Sequence, residues 1–378
     1  MPDVILFLLA VLFWLLGFAV FFRVLKCRET KELPGQVPNI SVIIPARNEE
    51  ENLPVLLDSL SKQDVAVHET VVVDDSSTDG TAGSARAFGA KVVSSEPLPR
   101  GWTGKTWACH QGAVSSSGEL LVFLDADLSL EEDGLRRIVS TFLSGEGVLS
   151  VLPYHSVRKL YENLSAYFNL LMAMGTGAFT FLGERLQPAG LFGQSLVLDR
   201  ESYFRAGGHK AVREHILENF HMARIFRKLA IPMKCRRGKG VLNMRMYPSG
   251  FYDLTEGWSK AFASGAAGVP LPVLMLSVVW ISGSIIALCM LVLYFAGYSH
   301  AHWLWPAAYP LFSLQTGLWF RKLGSFHVLS WLVYPVPLMF FLYIMLKSLV
   351  RKIRGKNVTW RGRSMPIPSS GSGTDNAG

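Results

Sequence analysis

The chain has 378 residues, 50% of them hydrophobic and only 17% charged, with a formal net charge of +8 and a mean hydropathy of +0.28. That composition excludes a wholly water-soluble protein and describes a soluble domain joined to membrane segments. Four cysteines (Cys27, Cys109, Cys235, Cys289) lie scattered without metal-type spacing, which argues against disulfide or zinc frameworks and fits a reducing compartment.

Val4 to Phe22 is an uninterrupted apolar stretch long enough to cross a bilayer as a helix. It lacks a basic leader and a small-residue cleavage site, and Arg23, Lys26, Arg28 and Lys31 follow it. Residues 1–24 are therefore expected to be a retained anchor, with the domain after it cytoplasmic.

The soluble part is expected over residues 38–268. Ile40 to Ile44 is β-branched and apolar, Glu50 to Gln63 repeats Leu at helical spacing, and Glu69 to Val73 is again a strand. A helix ending near Phe88, a strand Ala90 to Val93, a helix around Trp107 to Ser115 and a strand Leu120 to Leu124 follow. This alternation predicts an α/β fold with a mostly parallel sheet, residues 38–130 forming a nucleotide-binding half and 148–268 an acceptor half. No repeat and no nuclease-like constellation is present, and no nucleic-acid partner is expected. Leu164 to Leu182 is apolar but interrupted by Asn169, Gly175, Thr176 and Gly177. An interfacial helix is the favoured expectation, with burial in the core or a crossing as alternatives.

Beyond Gly268 the chain turns hydrophobic again. Val273 to Ala296 reads as a span, with Trp303 to Phe320 and Phe326 to Leu346 as two more candidates, so residues 272–347 are expected to be a transmembrane region of a multi-pass cell-membrane protein. Basic clusters at Arg321-Lys322 and at Lys347, Arg351, Lys352, Arg354 and Lys356 both favour the cytoplasm, yet three full crossings would leave the tail outside. Tyr334-Pro335-Val336-Pro337 is a place where the last segment can turn back as a re-entrant hairpin, provided its freed carbonyls are buried in protein. Residues 348–378 are expected to be a basic stretch and then a disordered tail rich in Pro, Ser and Gly.

Three strand ends carry the chemistry. Pro45-Ala46-Arg47-Asn48-Glu49-Glu50 follows the first strand, Asp74 and Asp75 close the next, and Asp125-Ala126-Asp127 closes the Leu120 to Leu124 run. Ligands of parallel α/β sheets collect where the carboxyl ends of the strands open. An Asp-x-Asp there offers hard oxygens to Mg²⁺ or Mn²⁺ carrying a diphosphate. Lys105, beside Gly104, supplies a point charge suited to the same diphosphate, although a lone Gly-Lys pair is more often a solvated surface group. Each piece alone also has a plain role: Asn48 as a helix cap, or an Asp after a strand closing a turn.

Together these strings resemble glycosyltransferase family 2, over about residues 38 to 270. The resemblance implies the GT-A fold and a metal-dependent transfer from a UDP-sugar. It implies that Pro45, Arg47, Asn48, Asp74 and Asp75 line the nucleoside, that Asp125 and Asp127 hold the metal, and that Lys105 approaches the nucleotide. The loops Trp102-Thr103-Gly104-Lys105, Gly207-Gly208-His209-Lys210, Arg245-Met246-Tyr247 and Glu256-Gly257-Trp258 are similar to those of membrane-bound 4,4'-diaponeurosporenoate glycosyltransferases of bacterial carotenoid synthesis. That group moves glucose from UDP-glucose onto the carboxylate of a C30 polyene acid, a lipid-soluble acceptor.

Family 2 enzymes generally invert the sugar and use a carboxylate base within a Glu-Asp pair. Here the stretch reads His215-Ile216-Leu217-Glu218-Asn219-Phe220-His221, so Asn219 stands where the family has Asp. Glu218 is the leading catalytic candidate, with His221 and His215 at neighbouring positions as substitutes. Alternatively Glu218 merely pairs with a histidine three residues away. The Gln-x-x-Arg-Trp string of polymerising relatives is absent, which points to one transfer per acceptor. Trp258, nearby, stacks on sugar or anchors the domain at the bilayer surface. Another lipid acceptor, such as a hopanoid or diacylglycerol, and a non-catalytic scaffold remain as alternatives.

Overall fold

A computed structural model describes residues 2–145, 147–215, 217–264, 268–298, 303–353, 358–360 and 363–365. The expected disordered tail after Met365, and the basic residues Arg354 and Lys356, lie outside the described residues.

Helix α1 (Pro2–Val20) precedes the alternating half: β1 (Ile40–Ala46), α2 (Leu53–Ser61), β2 (Glu69–Asp74), α3 (Thr81–Ala87), β3 (Lys91–Ser94), α4 (Gly104–Ser115) and β4 (Leu120–Leu124). There follow β5 (Leu128–Leu130), α5 (Gly134–Leu143), β6 (Val148–Leu152), β7 (Tyr154–His155), α6 (Ala166–Gly175), β8 (Ser195–Asp199), α7 (Arg200–Arg205), α8 (Glu218–Lys228), β9 (Met233–Arg237) and β10 (Leu242–Met244). The chain then runs through α9 (Phe251–Ser264), α10 (Leu271–Phe295), α11 (Trp305–Leu323), α12 (Leu329–Leu332) and α13 (Pro335–Ile353).

Seven strands form one sheet in the order β3-β2-β1-β4-β8-β6-β9. Only β8 runs against its neighbours, so the expected mostly parallel α/β architecture is what the chain adopts. The central strands are β-branched because both their faces are covered. Val42 and Ile44 pack with Leu53, Leu56 and Ile138, while Ile43 points the other way onto Cys109 and Ala113 of α4. The register sets Ala46 opposite Asp74, and Asp75 N donates to Ala46 O at 2.8 Å, so the acid pair and the loop after β1 end at one level.

The second half departs from two expectations. Leu164 to Leu182 does not lie in an interface: it yields α6, whose Tyr167, Phe168, Leu170 and Met174 are buried. Tyr167 packs on Trp280 and Phe320, and Phe168 on Phe341, at ring separations of 6.0, 5.5 and 5.1 Å. This helix became core because the C-terminal helices wrap it, a tertiary contact invisible to its own composition. One apolar core therefore runs unbroken from the sheet into α10, α11 and α13.

The multi-pass expectation also narrows. Among the described residues only Leu271–Phe295 is long and apolar enough to cross a bilayer, with Val4–Val20 a shorter apolar helix. The third candidate became α11, which carries Pro310 inside it and the buried polar residues Gln315 and Thr316. Gln315 ties three helices together, accepting from Trp280 Nε1 at 2.7 Å and donating to Trp14 O at 2.9 Å. The last candidate is broken into α12 and α13, as Pro335 and Pro337 demand.

Candidate active site

Loops after β1 and β2 lock together at the carboxyl edge of the sheet. Asn48 takes a left-handed conformation (φ 52°), one that Asn tolerates better than most residues. Its N donates to Ser77 Oγ at 3.0 Å and its Oδ1 accepts from Thr78 N at 2.9 Å. Asp74 Oδ1 accepts from Ser77 N at 3.1 Å, and Arg47 Nη1 donates to the Asp75 carbonyl at 2.5 Å while standing 3.9 Å from its carboxylate. Asp75 is buried. Four of the expected nucleoside residues thus share one rigid loop pair.

One strand over, β4 ends at Leu124 and delivers Asp125, whose N donates to Gln194 O at 3.0 Å. Lys105 comes from the first turn of α4, which Thr103 caps by accepting from Thr106 N. Lys105 Nζ lies 2.7 Å from Asp125 Oδ1 and 2.9 Å from Oδ2, and donates to Gly193 O at 2.8 Å. Glu218 Oε1, at the start of α8, is 3.6 Å from the same nitrogen. Burial opposes the Lys105 ammonium, but Asp125 and Glu218 together outweigh it and hold its pKa above the lysine range. Burial lifts the Glu218 carboxyl above its usual range, against the pull of Lys105.

A cavity is built around this cluster. Pro45 and Asp125, at the ends of β1 and β4, line it together with Leu191, Phe192, Gly193, Lys105, Glu218, Asn219 and Met222. His209, on its wall, is fully enclosed; Tyr203 OH sits 3.0 Å from its Nδ1, and burial pushes its pKa down to about 3. It is a neutral wall group.

Not every expected residue gathers here. His215 and His221 stack on each other, 3.4 Å apart and nearly parallel, and neither lines the cavity. Glu218 is paired with Lys105 rather than with a histidine, so the helical-pair alternative is corrected. Trp258 is 1% exposed, stacked on Phe168 at 4.6 Å with its Nε1 donating to Ser165 Oγ at 3.0 Å. No ring face is open to sugar or bilayer, and both expectations for Trp258 give way to a core role. Conversely, Gly193 escaped sequence reasoning: its carbonyl holds Lys105, and a β-carbon there would lie 3.0 Å from Glu218 Oε1. No local pattern signals a glycine whose need is set by a residue on another helix.

A metal fits the chemistry of the donor set. Among the described residues no group of three or more His, Cys, Asp or Glu side chains converges. A cation here would take Asp127 and Asp125 and complete its shell with water and phosphate, the habit of Mg²⁺ and Mn²⁺. Burial and the acids Asp253 and Asp127 push the Tyr247 phenol up.

Known proteins resemble this chain over most of its length. The family model of glycosyl transferase family 2 matches residues 41–220. The 4,4'-diaponeurosporenoate glycosyltransferase of Staphylococcus haemolyticus is 36% identical over 334 residues, covering 87% of this chain and 89% of its own. That of Staphylococcus aureus is 34% identical over 343 residues, covering 90% and 91%. Among solved structures, the mannosyltransferase PcManGT from Pyrobaculum calidifontis, in complex with GDP-Man and Mn²⁺, has a TM-score of 0.54 at 18% identity. It covers 92% of this chain and 95% of its own, a likeness of fold.

Proposed function

This chain belongs to glycosyl transferase family 2, and from that premise we propose that it moves glucose from UDP-glucose onto the carboxylate of a C30 carotenoid acid, with inversion and one transfer per acceptor. The observation that carries this reading is the placement of Lys105 between Asp125, at the end of β4, and Glu218, at the start of α8, in one cavity. The names of the Staphylococcus relatives supply the acceptor class.

In the proposed reaction an acceptor carboxylate oxygen attacks the anomeric carbon of the hexose. The bond from that carbon to the diphosphate oxygen breaks, and its electron pair leaves with UDP. A carboxylic acid with a pKa near 4 is already ionised at neutral pH, so no proton has to be taken from it. This accounts for Asn219 where a base partner is usual. Lys105 holds positive charge at the junction over the whole working pH range and places it against the diphosphate. Glu218 orients Lys105 and the incoming acceptor. A bound Mg²⁺ or Mn²⁺ on Asp127 and Asp125 would neutralise charge on the departing UDP.

A polyene acid dissolves in lipid and a nucleotide sugar in water, so the reaction belongs at their boundary. We place the catalytic domain on the cytoplasmic side of the cell membrane, with α10 as a crossing helix and α1 as the anchor. Purified protein in detergent, incubated with a panel of UDP-sugars and with a diapocarotenoid acid, a hopanoid or diacylglycerol, tests the assignment. Product mass corresponding to a hexosyl ester of the carotenoid acid is expected; a product formed only on another lipid contradicts the acceptor, and none at all contradicts the enzyme.

A further inference from the structure

The last helices leave the catalytic domain and return to it. At the start, Gly324 bridges His155, Ser325 N donates to His155 O at 2.9 Å, and His327 N donates to Asn163 Oδ1 at 2.8 Å. At the end, Lys347 Nζ and Arg351 Nη2 donate to Glu256 Oε1 of α9 at 2.9 and 2.8 Å. Both moorings are on the same domain.

Between them the chain climbs along α11, with Trp331 against Gly317 and Leu332 at Tyr309, and meets α10 at the top. Tyr334 OH donates to Ser284 O at 2.7 Å, a point about 20 Å beyond Leu271 at 1.5 Å per helical residue. The stretch of α13 from Tyr334 down to Lys347 covers the same helical length.

The turn at the top is closed in the way a water-free setting requires. Pro335 and Pro337 remove the N–H groups that a continuing helix would offer to the carbonyls of Trp331 and Val333. Ser313 Oγ donates to Trp331 O at 2.9 Å, Tyr309 OH to Leu332 O at 2.8 Å, and Val336 N to Val333 O at 3.0 Å. In water such carbonyls need no protein donor; in hydrocarbon an open one is strongly unfavourable because no solvent can bond it.

The outer face of α13 has a matching character. Val336, Met339, Tyr343, Leu346, Val350 and Ile353 recur every three or four residues and are all exposed. The opposite face, with Leu338, Phe341 and Ile344, is buried on the domain. Its cations enter only from Lys347 onward, where Lys347 and Arg351 bring the helix back to Glu256.

We propose that residues 325–353 form a re-entrant hairpin that dips into the leaflet adjoining the catalytic domain, turns at Tyr334 and seats Val336, Met339, Tyr343 and Leu346 among phospholipid acyl chains, with Val350 and Ile353 back at the aqueous surface beyond Lys347. It follows that Ile353 lies on the same side as the catalytic domain, which removes the conflict between three crossings and two basic clusters. The proposal is independent of the donor and acceptor assignment.

The test uses the full chain with Cys289, the exposed cysteine, changed to Ser, since Cys27, Cys109 and Cys235 are buried. Single cysteines are placed at Val336 (with Met339 as a second position should the first destabilise the protein), at Ile353, and at exposed Ser61 of α2 as the domain reporter. Right-side-out and inverted membrane vesicles are treated with an impermeant maleimide. Ile353→Cys and Ser61→Cys should label in the same vesicle population, and Val336→Cys in neither. A bimane at 336, introduced in detergent and reconstituted, should be quenched several-fold more by acyl-brominated phosphatidylcholine than one at 61. Labelling of Ile353→Cys in the opposite population shows a crossing and overturns the hairpin. Ready aqueous labelling at 336, or protection there without quenching, overturns the acyl-chain setting, the latter in favour of a second copy of this chain.

Discussion

Lys105 Nζ stands 2.7 Å from Asp125 Oδ1 and 3.6 Å from Glu218 Oε1, so one ammonium joins the carboxylates of the two halves. Replacing it by an isosteric apolar chain removes the charge proposed to meet the diphosphate and leaves two acids without their shared cation. Lys105→Met should therefore raise the KM for UDP-glucose and lower turnover, about 10- to 100-fold together, from the 1.5–3 kcal/mol typical of a hydrogen bond to a charged group. Isothermal titration with UDP and steady-state kinetics would show it; unchanged donor affinity would remove Lys105 from the donor site.

Glu218 separates two kinds of acceptor chemistry. General-base catalysis contributes about 10²–10⁴-fold where a proton must be removed, and an ionised carboxylate has none to give. Glu218→Gln should retain turnover within roughly tenfold with a carotenoid acid while losing 10²-fold or more with a chain-matched alcohol, if that alcohol is accepted at all. A thousandfold loss with the acid, at unchanged fold and UDP binding, would make Glu218 an obligatory base.

Gly193→Ala probes the junction without touching a charge. Its new methyl would meet Glu218 Oε1 at 3.0 Å, tight enough to move that carboxylate by a few tenths of an ångström and to disturb the carbonyl under Lys105. Turnover should fall about tenfold or more, in keeping with the sensitivity of catalysis to small misplacements. The melting temperature should stay within a few degrees, measured by scanning calorimetry in detergent.

The mooring of α13 depends on pH in a defined direction. Hydrogen bonds from Arg351, with further help from Lys347, hold the Glu256 carboxyl down at about 2, below its ordinary 4.5. A depressed carboxylate contributes stability that is fully present above the unfolded value and is lost as pH falls through the folded one. Protection factors for amide exchange in residues 347–353, taken against the intrinsic rate at each pH, should accordingly be high at pH 7 and fall between pH 4.5 and 2. In Glu256→Gln protection should be low throughout, without that step.

Much of the first half was legible in sequence because its signals are local. The β-branched runs Ile40 to Ile44 and Glu69 to Val73 became β1 and β2, and the acids closing β2 and β4 fall at one sheet edge because parallel strands share a direction. What escaped depends on partners distant in sequence. Trp258 carries the composition of a sugar platform or a membrane anchor, and distant partners including Phe168, Tyr247 and Ser165 make it core. Leu164 to Leu182 has an interfacial pattern until α10, α11 and α13 enclose it. The break at Pro335 was readable, whereas the hydroxyls of Tyr309 and Ser313 that make it tolerable lie on another helix.

The central claim is that UDP-sugar chemistry takes place where β4 ends, on Asp125 and Asp127. The most direct measurement is the rate of hexosyl transfer to a C30 carotenoid acid by Asp125→Ala/Asp127→Ala, across a Mn²⁺ titration, with folding verified by circular dichroism. Loss of the several kcal/mol that a diphosphate-bound cation supplies should lower the rate by about 10³-fold or more and abolish its metal dependence. A folded double variant that transfers sugar at the native rate, with the native response to Mn²⁺, would contradict the account.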